Sequence, residues 1–196
     1  MVIKKSEITG IILAGGRSSR MGTDKAFIKI GNRTLIENSY DLIKDYCSEI
    51  LISTNNHTGY SFPEQWIIPD DQQGLGPIGG IYSCLKRSGT VNNLVVAVDI
   101  PFINTGLIQF LLSNMADVEL VVPITGKGKA EPLCAVYKKS VLPHLEKMVT
   151  EYDLKVQNLM NYCKSKKLLI SKEQEFYNDR LFHNVNTADD YKQLTL

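Results

Sequence analysis

Residues 8–25 read ITGIILAGGRSSRMGTDK, and the first six of them decide the fold. Residues 8–13 form a short apolar run that is rich in β-branched side chains and is soon followed by two glycines. A run of this length and composition is typical of a strand buried on both faces of a parallel sheet. We therefore predict the first strand of such a sheet at Ile8–Leu13.

Strand-like and helix-like segments alternate along the rest of the chain. Thr34 and Glu37 form the capping-box pattern that begins a helix, and Thr187 is suited to cap a short terminal helix. Further strands are predicted at residues 49–53, 66–68, 94–98, 118–123, 134–137 and 168–170, and helices at 34–45, 77–86, 105–115, 142–149 and 154–163. The alternation predicts one domain over residues 1–196 with an α/β fold, in which a doubly wound, mostly parallel sheet lies between helices in three layers.

The charge of the chain is nearly balanced, with 22 Lys and Arg residues against 21 Asp and Glu residues. A balanced chain has no broad field to attract a polyanion, so we expect neither nucleic acid nor a membrane as a partner. Residues 1–10 lack the apolar run of a signal peptide, and no segment approaches the roughly 18 apolar residues that a membrane helix needs. We therefore expect a cytoplasmic protein.

The loop after the first predicted strand combines glycines with cations. Gly15 and Gly16 would let backbone N–H groups approach phosphate oxygens without obstruction by a side chain. Arg17, Arg20 and Lys25 add positive charge, which suits a triphosphate whose charge grows on a leaving pyrophosphate. The loop lacks the G-K-[ST] ending of a Walker A motif. We predict phosphate binding here, and the alternative is an ordinary strand-to-helix turn with solvated charges.

A second glycine-rich segment imitates a dinucleotide-binding loop. Residues 74–79 fit the pattern G-x-G-x-x-G, and Asp99 stands twenty residues after them. An NAD-binding or flavin enzyme is therefore an alternative. Against it, a dinucleotide loop follows its strand directly, whereas five residues separate Ile68 from Gly74.

Asp70 and Asp71 follow the predicted strand at residues 66–68. Aspartates in turns commonly bond to the local backbone. A carboxylate at this place could instead accept hydrogen bonds from the N1–H and 2-amino groups of a guanine, which cytosine and adenine do not both offer. The sequence leaves both readings open, and it favours Asp70 as the ligand contact because Asp70 directly follows the strand and Pro69.

Asp99 directly follows the apolar strand predicted at residues 94–98, in the stretch VVAVDIPFI. Pro101 discourages continuation of the sheet beyond it. Mg²⁺ prefers oxygen ligands and is commonly held by one or two carboxylates together with substrate phosphates and water. We predict Asp99 as a magnesium ligand, and the alternative is a cap or turn aspartate.

Four motifs together resemble the molybdenum cofactor guanylyltransferase family: LAGGRSSRMGTDKA, DDQQGLGPIGGI, VAVDIPFI and NVNT. They occur in the family's order. The resemblance implies a Rossmann-like fold of the nucleotide-diphospho-sugar transferase type. It also implies a Mg²⁺-dependent transfer of GMP from GTP to the phosphate of molybdenum-bound molybdopterin, with release of pyrophosphate. Proteins that deliver molybdopterin and proteins that mature molybdoenzymes are the further partners that it implies.

The resemblance and the loop chemistry together define a predicted site. Its members are Lys25, Asp99 and Arg20 as catalytic residues; Leu13, Ala14, Gly15, Gly16, Arg17, Lys25, Asp70 and Asp99 as nucleotide contacts; Asp99 as the metal ligand; and Asn184 and Asn186 as contacts to the pterin. Some family members carry Asn where Ser53 stands here. Asn55 or Asn56 could supply that contact instead.

Two further functions remain as alternatives. Related families keep the first loop but use CTP, either for the molybdenum cofactor or for a sugar or alcohol phosphate. The Asp24-Lys25 pair and the V-N-T ending favour the guanylyl branch. A carrier of nucleotide or pterin without catalytic activity is the second alternative, and Lys25 and Asp99 argue against it because a carrier needs no stabilisation of transition-state charge.

Overall fold

The computed structural model describes residues 3–15, 24–56, 58–185 and 190. Its strands are β1 (Ile8–Leu13), β2 (Lys29–Ile30), β3 (Arg33–Thr34), β4 (Glu49–Ser53), β5 (Ile67–Ile68), β6 (Asn92–Ala97), β7 (Leu120–Thr125), β8 (Cys134–Lys138) and β9 (Ser165–Ile170). Its α-helices are α1 (Leu35–Ile43), α2 (Pro77–Arg87), α3 (Thr105–Ser113) and α4 (Leu142–Thr150).

Seven strands form one sheet in the order β5-β4-β1-β6-β8-β7-β9. β8 runs antiparallel to both of its neighbours, and the other adjacent pairs are parallel. Helices cover both faces: α1 contacts α3, and α2 contacts α4. The predicted doubly wound, mostly parallel α/β sheet is confirmed.

The central strand β1 is buried along its whole length, as the apolar run predicts. Gly10 lies where the helical layer comes closest to the sheet. A Cβ atom at Gly10 would lie 2.7 Å from the terminal carbons of both Ile43 and Ile50. The glycine therefore allows the end of α1 to pack directly on the sheet, and this packing helps to fix the loop that follows β1.

Most predicted elements are present with shifts of a few residues at their ends, one differs in kind, and one hairpin was not predicted. The predicted helix at 154–163 is a 3₁₀ helix at Val156–Asn161. Its buried residues Val156 and Leu159 are three positions apart, which is the spacing that a 3₁₀ turn places on one face. The β2–β3 hairpin was not predicted, although Gly31, with φ of +61°, provides the turn conformation that such hairpins use.

The predicted cap of a terminal helix at Thr187 lies outside the described residues. Within the described part of the chain, no helix is long and apolar enough to cross a membrane.

Candidate nucleotide-binding site

The described residues form a cleft of about 870 Å³ at the carboxyl ends of the central strands. The strand order reverses between β1 and β6, so this cleft lies at the point where open α/β sheets bind ligands. Of the predicted site residues, the structure brings six together in its wall: Leu13, Ala14, Gly15, Lys25, Asp70 and Asp99. Gly16, Arg17, Arg20 and Asn186 lie outside the described residues.

The glycines at residues 74–79 occupy a different place from a dinucleotide-binding loop. They follow β5, the two-residue strand at the edge of the sheet, whereas the reversal of strand order lies at β1. Gly76, with φ of +65°, immediately precedes α2, and Gly79 lies within that helix. This segment therefore forms a side wall of the cleft, and the loop after β1 holds the position of a dinucleotide loop.

The start of the β1 loop is held to β4 by its own backbone. The N–H groups of Ala14 and Gly15 both donate to the carbonyl oxygen of Ser53, at 3.0 and 2.8 Å. These two donors are therefore occupied within the protein. The Gly15 N–H anchors the loop in this structure and does not point to a ligand.

Lys25 enters the cleft from the first position of a short 3₁₀ helix, Lys25–Phe27. Asp24 caps this helix, since its Oδ1 accepts a hydrogen bond from the N–H of Ala26 at 3.0 Å. The other carboxylate oxygen of Asp24 accepts from the hydroxyl of Tyr60 at 3.2 Å and from the side-chain amide of Asn56 at 3.4 Å. These contacts fix the backbone that carries Lys25 on the side of the cleft facing Asp99.

Asp99 lies just beyond β6, and its Oδ1 atom is buried without a hydrogen-bond partner among the described residues. Burial raises the pKa of the Asp99 carboxyl, and the ammonium groups of Lys25 and Lys129 oppose that shift. An unpartnered buried carboxylate oxygen loses hydration without compensation. Such an atom suits a cation that arrives with the substrate. No group of three or more potential metal ligands occurs among the described residues.

The structure separates the roles of Asp70 and Asp71, which the sequence leaves open. Asp70 lines the cleft and is half-buried, and burial raises the pKa of its carboxyl. Asp71 instead accepts from Lys86 at 2.6 Å and from Arg87 at 2.9 Å, both on α2. These hydrogen bonds lower the pKa of Asp71. Asp71 is therefore a surface ion-pair residue, and Asp70 is the carboxylate that faces the cleft.

Three polar residues at the end of β4 make different contacts: Ser53, Asn55 and Asn56. Ser53 is only 4% exposed, and its hydroxyl packs against Gly80 of α2. Asn56 accepts from the N–H of Thr58 at 3.1 Å and donates to Asp24. Asn55 is bonded to Asp70 through both its side-chain atoms, each at 2.9 Å.

Glu131 is a buried carboxylate that the sequence analysis did not single out. Glu131 is 6% exposed and pairs with Lys129 at 2.8 Å. Its backbone N–H donates to the carbonyl oxygen of Pro123 on β7 at 3.0 Å, and its carbonyl oxygen accepts from the N–H of Cys134 on β8 at 3.1 Å. The burial of Glu131 depends on these contacts with two strands, which the sequence does not display.

The predicted pterin residue Asn184 lies beside Asp99 without forming part of the cleft wall described above. The N–H of the next residue, Val185, donates to the carbonyl oxygen of Asp99 at 2.8 Å. The Oδ1 atom of Asn184 is buried and has no hydrogen-bond partner among the described residues. The late segment is therefore joined to the strand end that carries the predicted metal ligand.

Residues 10–167 match the model of the MobA-like NTP transferase domain. Similar curated proteins include probable molybdenum cofactor guanylyltransferases from Clostridium perfringens and Carboxydothermus hydrogenoformans. The first is 35% identical, with 98% of this chain and 97% of the relative aligned, and the second is 33% identical, with 95% and 94% aligned.

Solved structures share the fold. Molybdopterin-guanine dinucleotide biosynthesis protein A from Archaeoglobus fulgidus superposes with a TM-score of 0.79 at 22% identity, covering 95% of this chain and 96% of that one. The 4-diphosphocytidyl-2C-methyl-D-erythritol synthase from Anaerococcus prevotii gives 0.69 at 14% identity, covering 97% and 95%. At these identities the likeness shows the fold alone, whereas the domain match and the curated relatives show the family. The chain belongs to the MobA-like NTP transferase family.

Proposed function

We propose that this protein is a molybdenum cofactor guanylyltransferase, which transfers GMP from GTP to the phosphate of molybdenum-bound molybdopterin. The observation that carries the proposal is that Lys25 and Asp99 line one cleft at the strand-order reversal, where the Oδ1 atom of Asp99 is buried without a partner among the described residues. The names of the curated relatives support the choice of reaction, since both align over nearly their whole length.

The proposed chemistry is an in-line displacement at the α-phosphorus of GTP. A phosphate oxygen of molybdopterin attacks that phosphorus, and the bond from it to the oxygen that bridges the α- and β-phosphates breaks. The bridging oxygen keeps the electron pair and leaves with pyrophosphate, while a new phosphoanhydride joins GMP to the pterin. No protein nucleophile is needed, so the residues act by positioning and by neutralising charge.

The cleft residues have different roles in positioning the substrates and neutralising their charge. Lys25 neutralises charge on the phosphates and on the departing pyrophosphate, together with Arg17 and Arg20 of the same loop. The nucleotide lies against Leu13, Ala14 and Gly15, which line the cleft, and Gly16 is proposed as a further contact. Asp70 meets the nucleoside, and Asn184 and Asn186 meet the pterin.

The residues present fit a magnesium ion. Asp99 offers a buried carboxylate oxygen with no partner among the described residues, and the substrate phosphates supply further oxygens, so a single protein carboxylate is sufficient. When bound, Mg²⁺ would withdraw charge from the phosphate oxygens and hold the triphosphate in line. Asp99 would hold that ion, and Lys25 would supply the neighbouring positive charge.

Ligand-induced stabilisation tests the choice of nucleotide. Thermal unfolding is measured with GTP, CTP, ATP and NAD⁺, each with and without Mg²⁺. A ligand present at about 100 times its Kd stabilises the fold by about 2.7 kcal/mol, which raises Tm by about 5–10 °C in a protein of this size. We expect this shift with GTP and Mg²⁺. A shift with CTP alone would assign the cytidylyl branch, and one with NAD⁺ alone would overturn the proposal.

Release of pyrophosphate separates an enzyme from a carrier. The protein is mixed with GTP, Mg²⁺ and molybdopterin, and pyrophosphate is measured over time. We expect many equivalents per protein chain, and only when the pterin is present. Binding of GTP without any release of pyrophosphate would assign a carrier.

A further inference from the structure

We propose that Asn55 sets the specificity for guanine by fixing the carboxylate of Asp70 so that it accepts hydrogen bonds from the N1–H and the 2-amino group of the base. The inference rests on the proposed function, since it concerns the base of the nucleotide in the same cleft. In this role Asn55 is a positioning residue, and Asp70 is the group that contacts the ligand.

Asn55 and Asp70 form a closed pair of hydrogen bonds. The side-chain amide of Asn55 donates to Oδ2 of Asp70 at 2.9 Å, and the Oδ1 atom of Asn55 accepts from the backbone N–H of Asp70, also at 2.9 Å. The second bond fixes which end of the amide faces the carboxylate, because only the oxygen can accept from the N–H. Rotation of the carboxylate is thereby restricted.

The paired carboxylate keeps acceptor capacity for a ligand. Each carboxylate has two oxygens with about four acceptor positions in total, and Asn55 uses one of them on Oδ2. The Oδ1 atom of Asp70 would lie 3.5 Å from a Cβ atom built on Gly80, so the carboxylate rests at the start of α2. A fixed carboxylate with acceptor positions left on both oxygens matches two adjacent N–H donors.

Guanine is the base that fits this arrangement. Its N1–H and 2-amino groups are adjacent donors on one edge, whereas adenine has an acceptor at N1 and cytosine has an acceptor at N3. An ionised carboxylate can only accept, so it pairs with guanine and meets a lone pair on the other two bases. Asn55 also favours the ionised form, since its hydrogen bond lowers the pKa of Asp70 against the effect of burial.

Neighbouring polar residues are committed elsewhere. Asp71 is held by Lys86 and Arg87, and the hydroxyl of Ser53 is buried against Gly80. Thr54 and Asn56 bond to Tyr60 and Asp24, so in the described part of the chain Asn55 is the polar side chain at the end of β4 that bonds to the Asp70 carboxylate.

The test compares GTP with ITP, whose base keeps the N1–H and lacks the 2-amino group. The ratio of kcat/KM for GTP to that for ITP is measured for the wild-type protein, for Asn55→Ala and for Asn55→Asp. The last variant keeps the acceptor for the Asp70 N–H and replaces the donor with a second carboxylate. Asp71→Asn is the matched control, because it removes the adjacent carboxylate that does not line the cleft.

We expect the wild-type protein to prefer GTP over ITP by about tenfold or more, which is the scale of one hydrogen bond to a buried group. Both Asn55 variants should lose most of this preference through a higher KM for GTP, with a smaller rise for ITP, which keeps only the N1–H contact. Asp71→Asn should keep it. A thermal unfolding midpoint close to that of the wild type would confirm that the variants are folded.

Three results would overturn the inference. If kcat/KM for GTP and for ITP fell equally in the Asn55 variants, the role of Asn55 would be merely structural. A wild-type protein that transfers GMP but does not distinguish GTP from ITP would remove the base contact while leaving the proposed function intact. Use of CTP and not GTP by the wild-type protein would contradict both the guanine contact and the proposed function.

Discussion

The hydroxyl of Ser53 packs against Gly80 so closely that any side chain at position 80 would overlap with it. Ser53 ends β4, and Gly80 lies in the first turns of α2, so this contact sets how near the helix comes to the strand end. Both residues are buried. The contact thereby sets the distance between the Asp70 side of the cleft and the loop after β1.

Gly80→Ala should destabilise the protein although alanine favours helices. Overpacking of a core contact costs about 1–3 kcal/mol, and the helix propensity returns about 1 kcal/mol. We expect a net loss of about 1 kcal/mol, which denaturant unfolding would measure. The double variant Ser53→Ala/Gly80→Ala should recover most of that loss, because the overlapping hydroxyl is gone. Equal stability of the single and double variants would refute the contact.

Asp99→Asn should greatly slow transfer and yet stabilise the ligand-free protein at neutral pH. Burial raises the pKa of Asp99 above its usual value of 3.8. The folded protein therefore holds this proton more tightly than the unfolded chain does. The favourable contribution is complete below pH 3.8 and is lost as the pH rises through the folded pKa. Neutral Asn avoids the cost of burying the charge.

Two measurements check the Asp99 prediction. Transfer by Asp99→Asn should fall by about 100-fold or more at saturating Mg²⁺, as expected for loss of a group that stabilises transition-state charge. The stability gain over the wild type should shrink as the pH is lowered toward 4. Unchanged turnover would exclude Asp99 as the metal ligand, and a stability loss at pH 7 would contradict the cost of its burial.

Asp71→Asn should show the opposite pH dependence. Hydrogen bonds from Lys86 and Arg87 hold the pKa of Asp71 below its usual value. The stabilisation is therefore present above pH 3.8 and is lost as the pH falls through the folded pKa. At pH 7 the variant should lose about 0.5–1 kcal/mol, the scale of exposed ion pairs. High salt should reduce the difference, and a difference that grows at acid pH would refute this prediction.

Lys25→Ala should lower turnover more than it lowers affinity for GTP. Lys25 is proposed to neutralise charge that develops on the leaving pyrophosphate, so its effect should be greatest in the transition state. We expect kcat to fall by about 100-fold with a change of a few fold in Kd for GTP, measured by steady-state kinetics and by titration calorimetry. A loss of affinity with unchanged kcat would make Lys25 a binding residue only.

The central strands could be predicted from the sequence because burial on both faces leaves a continuous apolar run. β1 was predicted at its exact bounds, and β6 within two residues at its start and one at its end. At the edge of the sheet formed by β9, the apolar pattern predicted only residues 168–170, the last three of that strand. Lys166 and Lys167 of that strand are exposed and do not belong to an apolar run. They are part of β9 because they pair with β7.

Asp99 could be placed in the candidate cleft from the sequence because it comes directly after a predicted strand, and the cleft lies at the carboxyl ends of the strands. The preference for Asp70 over Asp71 rested only on its place directly after the strand and Pro69, because the ion-pair partners of Asp71 lie fifteen and sixteen residues away on α2. Glu131 was missed for a related reason, since its burial depends on backbone hydrogen bonds to β7 and β8. Contacts between distant segments decide these cases.

The fate of the individual phosphates of GTP tests guanylyl transfer most directly. The protein is incubated with Mg²⁺, molybdopterin and GTP labelled either at the α- or at the γ-phosphate, and the products are separated. Attack at the α-phosphorus predicts that the α-label appears in the pterin dinucleotide and the γ-label in pyrophosphate. Absence of α-label from the pterin product, or its appearance there from CTP and not from GTP, would contradict the proposed function.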